Sequence, residues 1–141
     1  MGKYTLDFTA SEINNRLSKL DNTPISMELV WVNADAGSQF AAQTLNVDIN
    51  GYDLIAVIYA LAAGSANTSI EILPPAFETT LKIDSDVRSS GNVYISSRYM
   101  YLGRDGIVFG TGGYKYITSA AFTESNHYLV PYRIYGIKGV Q

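Results

Sequence analysis

Few side chains in this chain could carry out catalysis. There is one histidine, His127, and no cysteine. Activating a hydroxyl as in a Ser-His-Asp arrangement needs an imidazole beside the nucleophile, and nothing in the spacing around His127 places one there. A zinc site needs several nitrogen or sulfur ligands, which one histidine cannot supply. His127 opens a strand-like segment and reads as a surface or turn residue. "NVDINGYD" (46–53) has oxygen ligands at alternate positions and a glycine, but it lacks the D-x-D-x-D-G order and closing Glu of a calcium loop. It reads as a turn, as "DSD" (84–86) reads as a solvated loop. "GTGG" (110–113) is too short to cradle a phosphate and precedes a strand rather than a helix, so it reads as a bend. The carboxylates Glu28, Glu71, Glu78, Asp48 and Asp53 could pair for glycoside hydrolysis only if folding brought them together. Most lie on polar faces of alternating segments. No enzyme activity and no cofactor is expected.

Tyrosine is the one compositional excess. Of 11 tyrosines, eight lie from residue 94 onward. Tyr99 and Tyr101 alternate on one strand face, as do Tyr114 and Tyr116. A phenol has an apolar ring and a polar tip, which suits wet interfaces and stacking on sugars. These four are the candidate glycan-binding residues. The competing reading is that tyrosine fills half-buried strands because it has high β-propensity. Trp31 alternates with Met27 and Leu29 and reads as core.

The elements that must position these residues are mostly strands. "SMELVWV" (26–32), "TLNVDI" (44–49) and "FETTLKID" (77–84) alternate apolar and polar residues. Asn50-Gly51 is a tight-hairpin signal. "YDLIAVIYALAA" (52–63) is apolar throughout and should be buried on both faces. "IEIL" stops at Pro74-Pro75, and "SDVRSSGN" (85–92) reads as a loop. "VYISSRYMYL" (93–102), "GRDG" and "IVF" (107–109) form a hairpin, and "YKYITSAAF" (114–122) resumes after the glycines. "TESN" turns into "HYLVPYRIYGIK" (127–138), where Pro131 implies an edge or a bulge. About nine strands with frequent turns predict a mainly β fold, an antiparallel β-sandwich of jelly-roll-like type.

A short N-terminal helix precedes it. Thr9 and Glu12 fit a capping box, and Phe8 with Ile13 a hydrophobic staple. Asn22 and Pro24 mark the far end. Ala10, Ile13, Leu17 and Leu20 follow steps of 3, 4 and 3, the spacing of a coiled-coil seam, and Leu at a with Ile at d leans toward trimers or tetramers. Residues 1–24 thus form a candidate oligomerisation segment and residues 25–141 a head domain. The same stripe could instead dock on its own sandwich. Hydrophobic residues make up 47% and charged ones 16%, below the roughly 25% charged that is usual, so some apolar surface should be buried against another chain. The net charge of −3 argues against a nucleic-acid partner. "MGKYTLDF" has no apolar core of a Sec signal, and the ten-residue apolar run at 54–63 is too short to span a bilayer as a helix.

Three segments together resemble the small β-domains of tail-fibre or minor structural proteins of phages and prophages of gut bacteria. They are "LVWVNADAGSQFAAQTLNVDINGYDLIAVIY", "GIVFGTGG" (like G-I-x-F-G-x-G) and "YLVPYRIYGIKG" (like P-x-x-I-Y-G-I-K). The resemblance runs over most of residues 29–138 and carries no catalytic residue. It implies a virion structural protein of the phage tail, made in the bacterial cytoplasm. Its expected partners are itself, as a homotrimer, other tail proteins, and a host-surface carbohydrate. The alternative is a stand-alone carbohydrate-binding module of a cell-surface or secreted protein.

Overall fold

The computed structural model describes residues 9–12, 14–15, 24–75, 79–89, 92–103 and 106–139, of which 79–89 and 92 by their backbone alone. Among these described residues nine strands follow one another: β1 (Ser26–Val32), β2 (Gln43–Leu45), β3 (Leu54–Ala62), β4 (Thr68–Leu73), β5 (Thr79–Ser89), β6 (Asn92–Gly103), β7 (Gly106–Tyr116), β8 (Thr123–Glu124) and β9 (Tyr128–Lys138). They form two antiparallel sheets. Sheet A has the order β1-β9-β3-β4. Sheet B has the order β2-β7-β6-β5, with β8 also paired to β7. The two pack as a β-sandwich. The chain alternates sheets from β1 to β2 to β3 and crosses back before β9. The first and last strands therefore lie side by side in sheet A, as in a jelly roll. The β3–β4 hairpin and the β5–β6–β7 meander fill the rest.

One apolar cluster joins the sheets. Ile55, Val57, Tyr59 and Ile134 come from sheet A, and Met100, Leu102, Ile107 and Phe109 from sheet B. Phe40, in the β1–β2 connection, closes one side. Its ring meets Trp31 edge-on at 6.0 Å and Phe109 at 5.6 Å, so Trp31 belongs to the core. Strand β3 is buried on both faces, as its composition requires: Ile55 and Val57 face the cluster, and Ala56 and Ala60 on the other side are also buried.

Several expectations are corrected. Asn50 and Gly51 do turn, and Asp48 Oδ1 accepts from both the Asn50 backbone N–H and its side-chain amide. But β2 and β3 belong to different sheets, so this turn joins layers and is no hairpin. The strand expected at 44–49 is only Gln43–Leu45. The polar stretch 85–89, expected as loop, continues β5 and pairs in register with β6 as far as Ser89↔Asn92. As an edge strand it tolerates polar residues, which also protect it from aggregation.

"GTGG" does not break the chain but lies inside β7, where it forms a bulge. Gly110 and Thr111 oppose Tyr99 alone, between the pairs Arg98↔Gly112 and Met100↔Phe109. Residues 117–122 leave the sheet, and Thr123–Glu124 within the expected turn pairs as β8. Pro131 sits in an interior strand, not at an edge, beside a register shift where Ile58↔Arg133 is followed by Tyr59↔Pro131.

The capping box is present. Thr9 N–H and Oγ1 both donate to Glu12 Oε2 at 2.8 Å, and Glu12 N–H donates to Thr9 Oγ1 at 3.3 Å. The two bonds from Thr9 hold the Glu12 carboxyl below the usual carboxylate range. Of the candidate seam, Ala10 is helical and exposed. Ile13, Leu17 and Leu20 lie outside the described residues, as do Phe8 and Asn22.

Candidate functional site

The two tyrosine pairs lie on opposite faces of sheet B. Partners in a ladder share a face. Tyr94 pairs with Tyr116 and Ser96 with Tyr114, and Ser96 is fully buried. Tyr114 and Tyr116 therefore turn to the inner side of sheet B, Tyr116 at the strand end still 40% exposed. There they form a cluster with Tyr94 and with Tyr128 of β9, with ring centroids 4.9 to 5.9 Å apart. This cluster plugs one end of the sandwich. Burial, followed by the neighbouring phenols, pushes the Tyr128 hydroxyl up to about 12. Tyr99 and Tyr101 point the other way, out of sheet B. Tyr99 is 56% exposed and Tyr101 half-buried.

Tyr99 borders a cleft of about 260 Å³ on that outer face, with Ile95, Ser97, Lys115, Ala120 and Phe122. Phe122 can lie there because residue 113 is glycine: a Cβ at Gly113 would overlap the Phe122 ring and the Thr123 carbonyl. The cleft thus combines two exposed aromatic rings, a hydroxyl and an ammonium. Lys115 and Phe122 were not singled out from the sequence. The Gly112-Gly113 pair was their signal, since small residues inside a strand mark close approach.

The other glycine of that pair makes room for Arg98, which has no exposed surface. From the inner face of sheet B its guanidinium reaches the crossing into sheet A. Nε donates to the Leu129 carbonyl at 2.8 Å, Nη1 to Gly110 at 2.7 Å, and Nη2 to Tyr128 at 3.0 Å and Asn126 at 3.3 Å. A Cβ on Gly112 would stand 2.6 Å from both Nη2 and the Tyr128 carbonyl oxygen. Leu129, one of the acceptors, is held at φ 47°, a left-handed conformation unfavourable for a branched residue. No carboxylate among the described residues pairs with Arg98, and burial pulls its pKa down to about 10. Its role is to tie the two sheets together.

The carboxylates do not assemble. Glu28 lies 3.9 Å from Lys138 Nζ. Asp48 caps its turn, and Asp53 accepts the Gly139 N–H at 2.7 Å. Glu71 sits on edge strand β4, and Glu78 lies outside the described residues. His127 is exposed in a turn. Among the described residues no group of three or more His, Cys, Asp or Glu could hold a metal ion, and no helix is long and apolar enough to cross a membrane.

A second surface is the outer face of sheet A. Leu29, Met27 and Val32 pair with Tyr135, Ile137 and Arg133, while Ile70 and Ile72 pair with Ile58 and Ala56. All five aliphatic side chains are about half exposed, between 47% and 56%. A cleft of about 350 Å³ continues the face past Ala60 and Thr68 to Gly64 and Tyr132.

Comparison with protein-family models, with curated proteins and with solved structures finds no match to this chain.

Proposed function

We propose that the chain is a virion structural protein of a phage tail fibre or tip whose β-sandwich head binds a host-surface glycan. The observation that carries the binding half is the Tyr99–Phe122 cleft. Two exposed rings flanked by Ser97 and Lys115 offer apolar faces for a sugar ring and polar groups for its hydroxyls, the combination usual in small-ligand sites. Of the four candidate tyrosines, Tyr99 is the contact residue, with Tyr101 beside it. Tyr114 and Tyr116 serve packing. The structural half is supported by the three family-like segments, which supply β2, β9 and parts of β1, β3 and β7, and by the apolar seam Ala10, Ile13, Leu17 and Leu20, which suits a homotrimer. The virion is the proposed location, with other tail proteins as neighbours and synthesis in the bacterial cytoplasm.

The same cleft favours a second reading, a carbohydrate-binding module of a cell-surface or secreted protein. That module would work as a monomer, whereas the fibre subunit would not. A glycan array followed by titration calorimetry tests the binding half. Tyr99→Ala should weaken the best glycan at least tenfold, or about 1.4 kcal/mol, with Tyr116→Phe unchanged. Undiminished binding by Tyr99→Ala, or no glycan bound at all, overturns it.

A further inference from the structure

We infer that the glycan of the Tyr99–Phe122 cleft is a neutral oligosaccharide of at least two units, whose second unit sits in a polar cleft beside it on the outer face of sheet B. This deepens the binding half of the function proposed above and rests on it. The second cleft, of about 380 Å³, is lined by Gln39, Thr111, Glu124, Ser125 and Asn126. All five side chains are polar.

The ladders place the two clefts side by side. Ser97 of the first pairs with Gly113, and Gly113 pairs with Glu124 of the second. The three share one face and one row, so Ser97 and Glu124 are two strand spacings, roughly 10 Å, apart. Tyr99 lies opposite the bulge of Gly110 and Thr111. A Cβ on Gly110 would stand 3.3 Å from Tyr99 Cβ, so the bulge faces outward with Tyr99, between the inward positions 109 and 112. Thr111 thus joins the polar cleft to the Tyr99 strand. Between Ser97 and Glu124 stands the Phe122 ring, in the space that a side chain at residue 113 would fill. The ring is 47% exposed. Across the face run a hydroxyl, an apolar ring and a carboxylate. A chain of pyranose rings offers apolar faces and polar edges in a matching order.

The polar cleft is shaped before any ligand arrives. Ser125 N–H donates to the Gly112 carbonyl at 2.7 Å. The Asn126 carbonyl accepts from Phe40 N–H at 3.0 Å and from Arg98 Nη2 at 3.3 Å. The first of these brings Gln39 to the rim, and the second anchors the turn on the buried guanidinium. A preorganised wall reduces the ordering that binding requires. One acceptor in it is unmet: Asn126 Oδ1 is buried with no hydrogen-bond partner. A donor-rich ligand that turns this amide toward the cleft gains a bond that the free protein lacks. Glu124 is exposed, and a carboxylate accepts strongly from hydroxyls while it repels an anionic sugar. The unit beside it is therefore neutral. Volume agrees. The first cleft alone, about 260 Å³, falls short of the roughly 300–1,000 Å³ usual for ligand sites, and the two joined fall inside that range.

NMR chemical-shift titration of the full chain tests this. The probes are the neutral glycans that wild type binds on an array, each taken as its mono-, di- and trisaccharide. The di- and trisaccharides should bind at least about tenfold tighter than the monosaccharide. Glu124→Ala/Thr111→Val should erase that gain, because it removes a charged acceptor and a hydroxyl, and should leave monosaccharide binding at Tyr99 as it was. Circular dichroism checks the fold, and the single variants read the same loss in part if the double one does not fold. Variants that keep the whole gain overturn the inference, as does a wild type that binds mono- and disaccharide equally or prefers acidic glycans. In each of these cases weaker binding by Tyr99→Ala still upholds the proposed function. No glycan bound at all overturns both.

Discussion

Replacing Arg98 with Met keeps a long apolar stem but removes every donor. Three of its four hydrogen bonds are 2.7 to 3.0 Å long and the fourth is 3.3 Å. A hydrogen bond from a charged group contributes about 1.5–3 kcal/mol, so the three short ones amount to roughly 5–9 kcal/mol. Burial of the uncompensated guanidinium opposes this. Its pKa, drawn down to about 10, corresponds to a penalty of about 3 kcal/mol at roughly 1.4 per pH unit. The balance is a loss of about 2–6 kcal/mol. At about 2–4 °C per kcal/mol for a domain near this size, melting should fall by around 10 °C.

Arg98→Lys should fare no better, because an ammonium is a point donor and cannot span four carbonyls in a fork. Differential scanning calorimetry and urea unfolding measure both. A variant Arg98→Met within about 0.5 kcal/mol of wild type, the usual range for a neutral surface change, would refute the reasoning. The four bonds would then do no more than offset the burial of the charge. A double-mutant cycle sharpens the test. Gly112→Ala intrudes on Nη2 at 2.6 Å, so its cost should be smaller in the Arg98→Met background, though still present because the Tyr128 carbonyl also stands in the way.

Two further outcomes follow from the same contacts. The Tyr128 hydroxyl, raised to about 12 in the folded chain against an ordinary value of about 10, holds its proton more tightly folded than unfolded. Its contribution to stability is complete below about pH 10 and is lost as pH climbs to about 12, so tyrosinate absorbance should show a late component that Tyr128→Phe removes; a single titration near 10 contradicts the packing. At the other end, a Cβ on Gly136 would overlap the Tyr52 ring, so Gly136→Ala should cost about 1–3 kcal/mol by overpacking and much less when combined with Tyr52→Ser, whereas additive costs would show that the ring moves aside freely.

Local chemistry was legible in the sequence. The Thr9–Glu12 box, β1, β3 and the long β6 and β9 all follow from spacing and composition within a few residues. What escaped depends on partners distant in the chain. Nothing near "ISSR" marks Arg98 as buried, because its four acceptors lie 12 to 31 residues away. The glycines at 112 and 113 look like a bend until Arg98 and Phe122 are seen to occupy the space that side chains would fill. The tyrosine pairs were each assigned correctly to one strand face. But unbroken alternation from Ile107 and Phe109 would have sent Tyr114 and Tyr116 outward, beside Tyr99. The bulge at Gly110–Thr111 shifts the parity by one residue and turns them inward. A bulge is a property of two strands, and one strand's sequence does not announce it.

The outward placing of Ile70 and Ile72 has its origin in the turn that joins β3 to β4. Gly64 takes φ +73°, a conformation that favours glycine. Ser65 N–H donates to the Ala62 carbonyl at 2.9 Å, Asn67 N–H to Ser65 Oγ at 3.1 Å, and Leu61 N–H to the Asn67 carbonyl at 3.0 Å. These contacts fix which residue of β4 meets which of β3, since loop length and turn geometry set hairpin register. With Ala60↔Thr68 as the first pair, Ile70 and Ile72 must fall outward. A turn one residue shorter or longer would have brought them under the sandwich and put Glu71 in water, which is what a lone soluble sheet favours. The turn chemistry and the β3–β4 ladder agree on one register. Such agreement across levels is what a specified structure looks like, and here it turns Glu71 inward and leaves two isoleucines half exposed.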